Sequence, residues 1–192
     1  MSEHPILFTS EIVRAILDGR KTQTRRVPVE RYRNWKVGDT LWVRESFAIF
    51  DVDGDEDIAI GYKADDTYKT VEWFKDKRKE FGKLRLGKWR SSLHLHRWAA
   101  RIFLEITGLR DERVQDISWR DCKAEGIILI GDELVFNNRK QKHSLLRTKF
   151  NRLWDSINAK RHNGIYAWPK NPVVKVIEFK KEVTCKNQNR TA

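Results

Sequence analysis

Residues 16–26 read ILDGRKTQTRR, and this stretch marks the end of a helix and the start of a strand. The apolar side chains before it recur at helical spacing: Ile12, Val13, Ile16 and Leu17. Ser10 can cap this helix, and Gly19 stands where the residue after a helix often takes a left-handed conformation. We therefore predict a short helix from Ser10, a turn at Gly19 and an extended segment over 20–27.

The rest of the chain predicts short strands with a few helices. Alternation, or a high density of β-branched and aromatic residues, predicts strands over 41–50, 58–62, 98–109 and 173–179, the last being typical of a central strand. Ser118 with Asp121 resembles a capping box that opens a short helix ending at Gly126. Helical spacing predicts a longer amphipathic helix that contains Leu146, Phe150, Leu153, Trp154 and Ile157. This order predicts an α+β fold with a small curved sheet or barrel.

The length suits one domain that carries an insertion. From 51 to 87 the composition shifts to charged residues with scattered glycines, which is typical of a surface insertion. Residues 182–192 have almost no apolar content and are expected to fray. We therefore predict a single domain over 1–181, with 51–87 as a variable insertion and 182–192 as a polar tail.

Composition excludes several classes of protein. The 192 residues are 40% hydrophobic and 11% aromatic, which is enough for a core and argues against a disordered chain. No apolar run approaches the roughly 20 residues that a membrane helix needs, and residues 1–5 lack the pattern of a secretory signal. Cys122 and Cys185 do not make a disulfide framework. We expect a cytoplasmic protein that does not bind membranes.

The net charge of +12 is unevenly distributed along the chain. Residues 51–66 have one basic and seven acidic side chains, whereas 75–101 have ten basic and two acidic, and 139–192 have fourteen and three. Clustered basic charge is typical of a face that binds a polyanion, because neutralised phosphates release counterions. We favour a nucleic acid or nucleotide partner; the alternative is a basic surface that only keeps the protein in solution.

The basic turn at 19–26 holds four cations and two hydroxyls in eight residues, which suits an anion-binding loop. Crowded cations and partial burial disfavour an ammonium, so we expect the pKa of Lys21 to be lowered. Such a lysine can act as a general base for a hydroxyl such as Thr24, with Glu125 to orient it. In a regular strand positions 21 and 24 face opposite ways, so Lys21 must lie in the turn or the strand must bulge. The alternative is an exposed basic strand.

Residues 89–98 interleave aromatic, arginine and histidine side chains, which suits a single-stranded or flipped nucleotide because bases stack on aromatic rings while arginine binds phosphate. The predicted binding residues here are Trp89, Arg90, His94, Arg97 and Trp98. The alternative is that the two tryptophans are core residues, as tryptophan usually is.

Metal and cofactor signatures are weak in this sequence. His94 and His96 would share one face of a strand, but two histidines without a third ligand are a poor metal signal. The sequence has no phosphate-binding loop, no dinucleotide fingerprint and no paired Cys-x-x-Cys motifs. We expect no metal and no cofactor.

The motif at 16–26, followed by VGDTLWVRE at 37–45, resembles the ASCH domain and is most similar to the longer ASCH proteins of phages and prophages. The resemblance covers roughly residues 6–50 and 88–181, and it includes the later segments at 116–118, 124–127, 153–158 and 176–179. Ser91 and His96 depart from the family pattern, since both stand where prolines are expected.

The resemblance implies a PUA-like β-barrel with flanking helices and a cleft for RNA or a modified nucleoside. A small bacterial member of the family is an amidohydrolase that removes the acetyl group of N4-acetylcytidine with a Lys, a Thr and a Glu. These match Lys21, Thr24 and Glu125. The resemblance also suggests residues that hold the substrate: Arg20, Arg25, Arg26, Arg44 and Arg97.

Three functions follow from this resemblance. The first is binding of RNA or a modified nucleoside, with amidohydrolase activity of the N4-acetylcytidine type. The second is a regulatory module that binds RNA or another single-stranded nucleic acid without catalysis, and the third is a ribonuclease, since other ASCH proteins have been linked to that activity. The sequence has no feature that sets the oligomeric state.

Overall fold

A computed structural model describes residues 1–51, 57–72, 86–131 and 138–182. These residues form an α+β fold with two β-sheets, which confirms the predicted class. The strands are β1 Glu3–Leu7, β2 Gln23–Arg26, β3 Thr40–Arg44, β4 Phe47–Asp51, β5 Asp57–Tyr62, β6 Thr67–Glu72, β7 Phe103–Arg113 and β8 Val173–Lys181. The helices are α1 Ser10–Leu17, α2 Trp119–Ala124 and α3 Arg139–Asn158.

The chain divides into two compact units that alternate along the sequence. The first unit comprises Met1–Arg14, Thr40–Leu104 and Lys181–Ala192, and the second comprises Ala15–Asp39 and Glu105–Lys180. The predicted single domain over 1–181 stays a prediction. Each unit has a hydrophobic core of its own.

In the first unit, β1 pairs in parallel with β3, and β4, β5 and β6 form an antiparallel sheet in that order. The predicted single strand over 41–50 is therefore wrong, because it is split between β3 and β4. The interruption is at Glu45, a buried carboxylate bound by Arg101 at 2.8 Å. A buried charge needs such a partner. The pairing of β1 with β3 ends at Arg44, one residue before Glu45.

Within the predicted insertion 51–87, the small strand predicted at 58–62 is confirmed as β5, but the surface position predicted for residues 57–72 is wrong. These residues form the β5–β6 hairpin, and Ile60 and Tyr62 lie in the core of the first unit without solvent exposure. The two side chains share one face of β5, as positions two apart on a strand do. One face of β5 is therefore buried, although the composition of 51–87 is charged. The rest of the predicted insertion, 52–56 and 73–85, lies outside the described residues.

In the second unit, β8 lies between β7 and β2, which confirms that it is a central strand. β2 and β8 run antiparallel, with Thr24 opposite Ile177. Ser118 and Asp121 form the predicted capping box at the start of α2. The core of this unit includes Cys122 and the buried face of α3, formed by Leu146, Phe150, Trp154 and Asn158.

Two further predictions on local structure need correction. The strand predicted from Trp98 begins at Phe103, because Trp98 lies in the 3-10 turn Arg97–Ala99. His94 ends the 3-10 turn Ser92–His94, in which Ser91 accepts a hydrogen bond from the amide of Leu93, so His94 and His96 do not share a strand. Of the predicted tail 182–192, only Glu182 is described, and its amide donates to the carbonyl of Phe103 at 2.9 Å; residues 183–192 lie outside the described residues.

Within the four described ranges, no helix combines the length and the apolar content that crossing a bilayer requires.

Candidate functional site

The basic turn places Lys21 inside the second unit, just before β2. Gly19 takes the left-handed conformation expected after α1, with φ of 70°. The amide of Lys21 donates to the carbonyl of Ala15 at 2.9 Å, and the amide of Thr22 donates to that of Ala124 at 2.8 Å. Lys21 therefore lies in the turn and pairs with Glu125 as an isolated bridge, so the strand alternation does not apply to it.

Lys21 and Glu125 form a buried ion pair. The Lys21 Nζ donates to Oε2 of Glu125 at 2.7 Å and to the Glu125 carbonyl at 2.9 Å. The two side chains are only 2% and 5% exposed. The turn thus brings together the base and the carboxylate that the sequence predicted, although 104 residues separate them.

Burial lowers the pKa of Lys21 below its ordinary value, because the desolvated ammonium loses more than the Glu125 carboxylate returns. The nearby guanidinium groups of Arg26 and Arg25 lower it further. The lowered pKa agrees with the prediction, but the main cause is burial rather than crowding of cations. Lys21 therefore loses its proton at a lower pH than an exposed lysine does, and the neutral amine is the form that a general base requires.

Arg25 holds the second oxygen of the same carboxylate. Its Nη1 donates to Oε1 of Glu125 at 3.1 Å, and its Nε donates to Glu112 at 3.0 Å. Its Nη2 also binds Glu112 and lies 3.5 Å from a carboxylate oxygen of Asp121. The Arg25 side chain has no solvent exposure and packs against the Phe150 ring. It is therefore placed to orient Glu125 from within the protein.

Arg110 continues this network toward the surface. It binds Glu112 at 3.0 Å, Asp121 at 3.2 Å and Glu178. Positive and negative side chains thus alternate from Lys21 through Glu125, Arg25 and Glu112 to Arg110. Each buried charge has an opposite partner, as burial requires.

Gly126 allows the turn after α2 to approach Lys21 closely. Its φ is +88°, and a Cβ built there would lie 3.2 Å from Ala15 Cβ and 3.3 Å from Lys21 Cβ. Both the conformation and the space favour glycine, which alone adopts this φ without strain. Gly126 therefore helps to fix the backbone that carries Glu125.

Thr24 is buried in β2. Its hydroxyl forms no hydrogen bond with another described residue, Lys21 and Glu125 included. Thr24 and Arg25 are consecutive residues of β2, so their side chains face opposite sides of the strand, and it is Arg25 that reaches Glu125. The structure therefore brings Lys21, Glu125 and Arg25 into contact, but it does not bring the predicted catalytic Thr24 into contact with them.

The other predicted binding residues of the turn differ in their surroundings. Arg20 is exposed and pairs with Asp18 at 2.7 Å, and Arg26 is half-buried at the end of β2. Arg25 has no surface from which to hold a substrate, so its geometry fits positioning better than the predicted substrate binding.

The remaining predicted binding residues lie in the first unit. Arg44 donates to the carbonyl of Leu93 and lies over the Trp42 ring, and the backbone of Arg90 pairs with that of Phe47. Trp89 and His94 are exposed.

Arg97 and Trp98 have contacts of their own in this unit. Arg97 pairs with Glu3 at 2.5 Å and lies over the Phe103 ring, whereas Trp98 is half-buried against the core. Trp89 is exposed, as the predicted binding role requires, whereas Trp98 packs against the core, as the alternative interpretation expected.

Sequence reasoning missed Glu112, Asp121 and Arg110 as members of the site. Asp121 was assigned only to the capping box, and it also lies beside Arg25 and Arg110. The sequence contained one signal for the contact between Arg110 and Glu112. The two residues are two positions apart on a strand and therefore share a face.

In the described part of the chain, no cluster of three or more His, Cys, Asp and Glu side chains could hold a metal ion. A scan against protein-family models found no match, and searches of curated proteins and of solved structures found no significant similarity. The resemblance to the ASCH family stays a prediction.

Proposed function

We propose that this protein is an ASCH-family amidohydrolase that acts on a modified nucleoside of the N4-acetylcytidine type, with a PUA-like barrel and cleft. The observation that carries the proposal is the buried contact between Lys21 and Glu125. The family resemblance implies these two residues as catalytic partners, and they are in direct contact although they are distant in sequence. The motifs at 16–26 and 37–45 support the assignment to the family.

Lys21 is the general base in the proposed mechanism. Its amine has three donor positions when charged, and among the described residues two hydrogen bonds are formed, both to Glu125. In the proposed mechanism the remaining position takes the reacting group. The lowered pKa favours the neutral amine that accepts a proton.

The reaction is hydrolysis of the acetyl amide. Lys21 takes the proton from a water molecule, whose oxygen attacks the acetyl carbon. The new carbon–oxygen bond gives a tetrahedral adduct, and the carbon–nitrogen bond then breaks as the Lys21 ammonium returns its proton to the leaving nitrogen. The products are cytidine and acetate, and Glu125 holds the amine throughout.

The test is incubation with N4-acetylcytidine and separation of the released cytidine. We expect turnover by the wild type and a loss of about 10²–10⁴-fold in kcat for Lys21→Arg, because arginine keeps the positive charge beside Glu125 but cannot act as a base. Lys36→Arg, which makes the same substitution at an exposed lysine with no predicted role, is the matched control and retains activity. Absence of turnover by a folded wild type, or full activity of Lys21→Arg, would exclude the proposed enzyme.

A further inference from the structure

Four cations of the second unit surround a stacked pair of rings on α2 and α3. Trp119 and His143 stack with ring centroids 4.6 Å apart and planes 6° apart. Arg120 and Lys123 lie over the Trp119 ring at 5.3 and 5.0 Å.

Lys140 and Arg147 lie about one helical turn before and after His143 on α3, so they extend the same face. We name Arg120, Lys123, Lys140 and Arg147 the basic helical surface. All four side chains are exposed.

The charge of this surface is not neutralised within the described part of the chain. None of its four cations forms an ion pair with a described carboxylate; Arg147 instead donates to the carbonyl of Gln115 at 2.6 Å. The carboxylate nearest in sequence, Asp121, is bound by Ser118 and Arg110. Uncompensated, clustered cations create a positive potential that attracts anions.

The geometry of the surface suits a chain of phosphates. Lys140 and Arg147 are seven residues apart on a helix, so their Cα atoms are separated by about 10.5 Å, and the two cations can contact different phosphates of one strand. The stack of Trp119 on His143 fixes α2 against α3, so the cations of both helices are presented together. Several cations at fixed spacing match a repeated anion better than a single one.

A lipid surface fits these observations less well. Membrane-surface helices insert exposed aromatic or aliphatic side chains between their cations. Here Trp119 is half-buried and covered by His143, so the large apolar side chain at the centre of the surface is already packed.

We infer that the basic helical surface binds the sugar–phosphate backbone of a nucleic acid. This function goes beyond hydrolysis of a nucleoside at Lys21 and does not depend on it, since a free nucleoside has no phosphate. RNA and DNA share the phosphodiester chemistry, and the experiment separates them.

The experiment measures fluorescence anisotropy of a short labelled single-stranded RNA, and of DNA of the same sequence, over a series of salt concentrations. The test variant converts Arg120, Lys123, Lys140 and Arg147 to Gln. The control variant makes the same four-charge change at exposed cations elsewhere in the second unit: Lys36, Lys160, Arg161 and Lys170. Thermal melting confirms that both variants fold.

We expect the test variant to weaken binding by about tenfold or more, and to reduce the slope of log K against log salt by about 3, because each phosphate contact contributes roughly 0.7 in single strands. The control variant should bind nearly as the wild type does. The inference is overturned if both variants lose affinity equally or if the wild type binds neither oligonucleotide. Turnover of N4-acetylcytidine by the test variant should stay unchanged, which separates this result from a failure of the catalytic proposal.

Discussion

Arg25 donates to Oε1 of Glu125 at 3.1 Å while the other oxygen of that carboxylate binds Lys21. The carboxylate is thus held from two sides and cannot rotate without breaking one of the two contacts. Arg25 is in turn held by Glu112, so its guanidinium is fixed before any substrate arrives. This relationship makes Arg25 a positioning residue whose effect on Lys21 passes through Glu125.

The first prediction concerns the stability of this network. Arg25→Gln should lower the free energy of unfolding by about 3–5 kcal/mol, because it removes the partner of buried carboxylates. Arg20→Gln is the matched control, since it makes the same substitution in an exposed pair and should cost about 0–1 kcal/mol. Urea unfolding monitored by tryptophan fluorescence measures both values. Equal costs for the two variants would show that Arg25 does not stabilise the buried network.

The second prediction concerns the close approach of Gly126 to Lys21. Gly126→Ala and Gly38→Ala both place a side chain at a positive φ, +88° and +90°, and each should lose about 1–2 kcal/mol for that reason. A Cβ at Gly38 meets nothing within 4 Å, whereas one at Gly126 meets Ala15 and Lys21. Gly126→Ala should therefore be the less stable variant and should lose turnover, whereas Gly38→Ala should keep it. A larger loss of stability in Gly38→Ala would contradict this expectation.

The third prediction tests whether the β5–β6 hairpin is part of the core of the first unit. The buried Tyr62 hydroxyl donates to the carbonyl of Ala99 at 2.6 Å. Tyr62→Phe should cost about 1–3 kcal/mol, because the buried carbonyl loses its partner. Tyr68→Phe, on the neighbouring strand, should be nearly neutral since Tyr68 is exposed. Thermal unfolding of the two variants measures both losses of stability. If Tyr62→Phe is as stable as the wild type, the hairpin is not part of the cooperative core.

The elements that could be predicted from the sequence are those set by neighbouring residues. The capping box at Ser118 and Asp121, the turn at Gly19 and the helical spacing around Phe150 depend on contacts within one or two turns of chain. The central position of β8 followed from its apolar density. Glu125 was considered as a partner of Lys21 from its charge, and the family resemblance then named both residues as catalytic.

The features that escaped prediction depend on distant partners. Arg25 contacts Glu112 and Glu125, which are 87 and 100 residues away, and nothing in residues 19–26 distinguishes a buried arginine from an exposed one. The strand at 58–62 was predicted, but its burial was missed for a related reason. Its acidic neighbours dominate the composition, while the burial of Ile60 and Tyr62 depends on β4 and on residues 95–100.

The last prediction concerns the pH dependence of turnover. A general base is active when deprotonated, so kcat/KM for N4-acetylcytidine should rise with pH as Lys21 loses its proton and then become level. Burial lowers the pKa of Lys21, so the midpoint of this rise should lie below the ordinary lysine value of 10.5. Subtraction of the rate without enzyme removes alkaline hydrolysis of the substrate.

Two variants test whether this rise belongs to Lys21. Arg25→Gln removes one of the guanidinium groups that lower the pKa, so its midpoint should move upward, provided that it folds at the assay temperature. Lys21→Arg should lose the rise altogether, because guanidinium stays charged over the accessible range. A rise that persists in Lys21→Arg, or a wild-type midpoint at or above the ordinary lysine value, would assign the base to another group. Glu125 would then hold Lys21 for structural reasons alone.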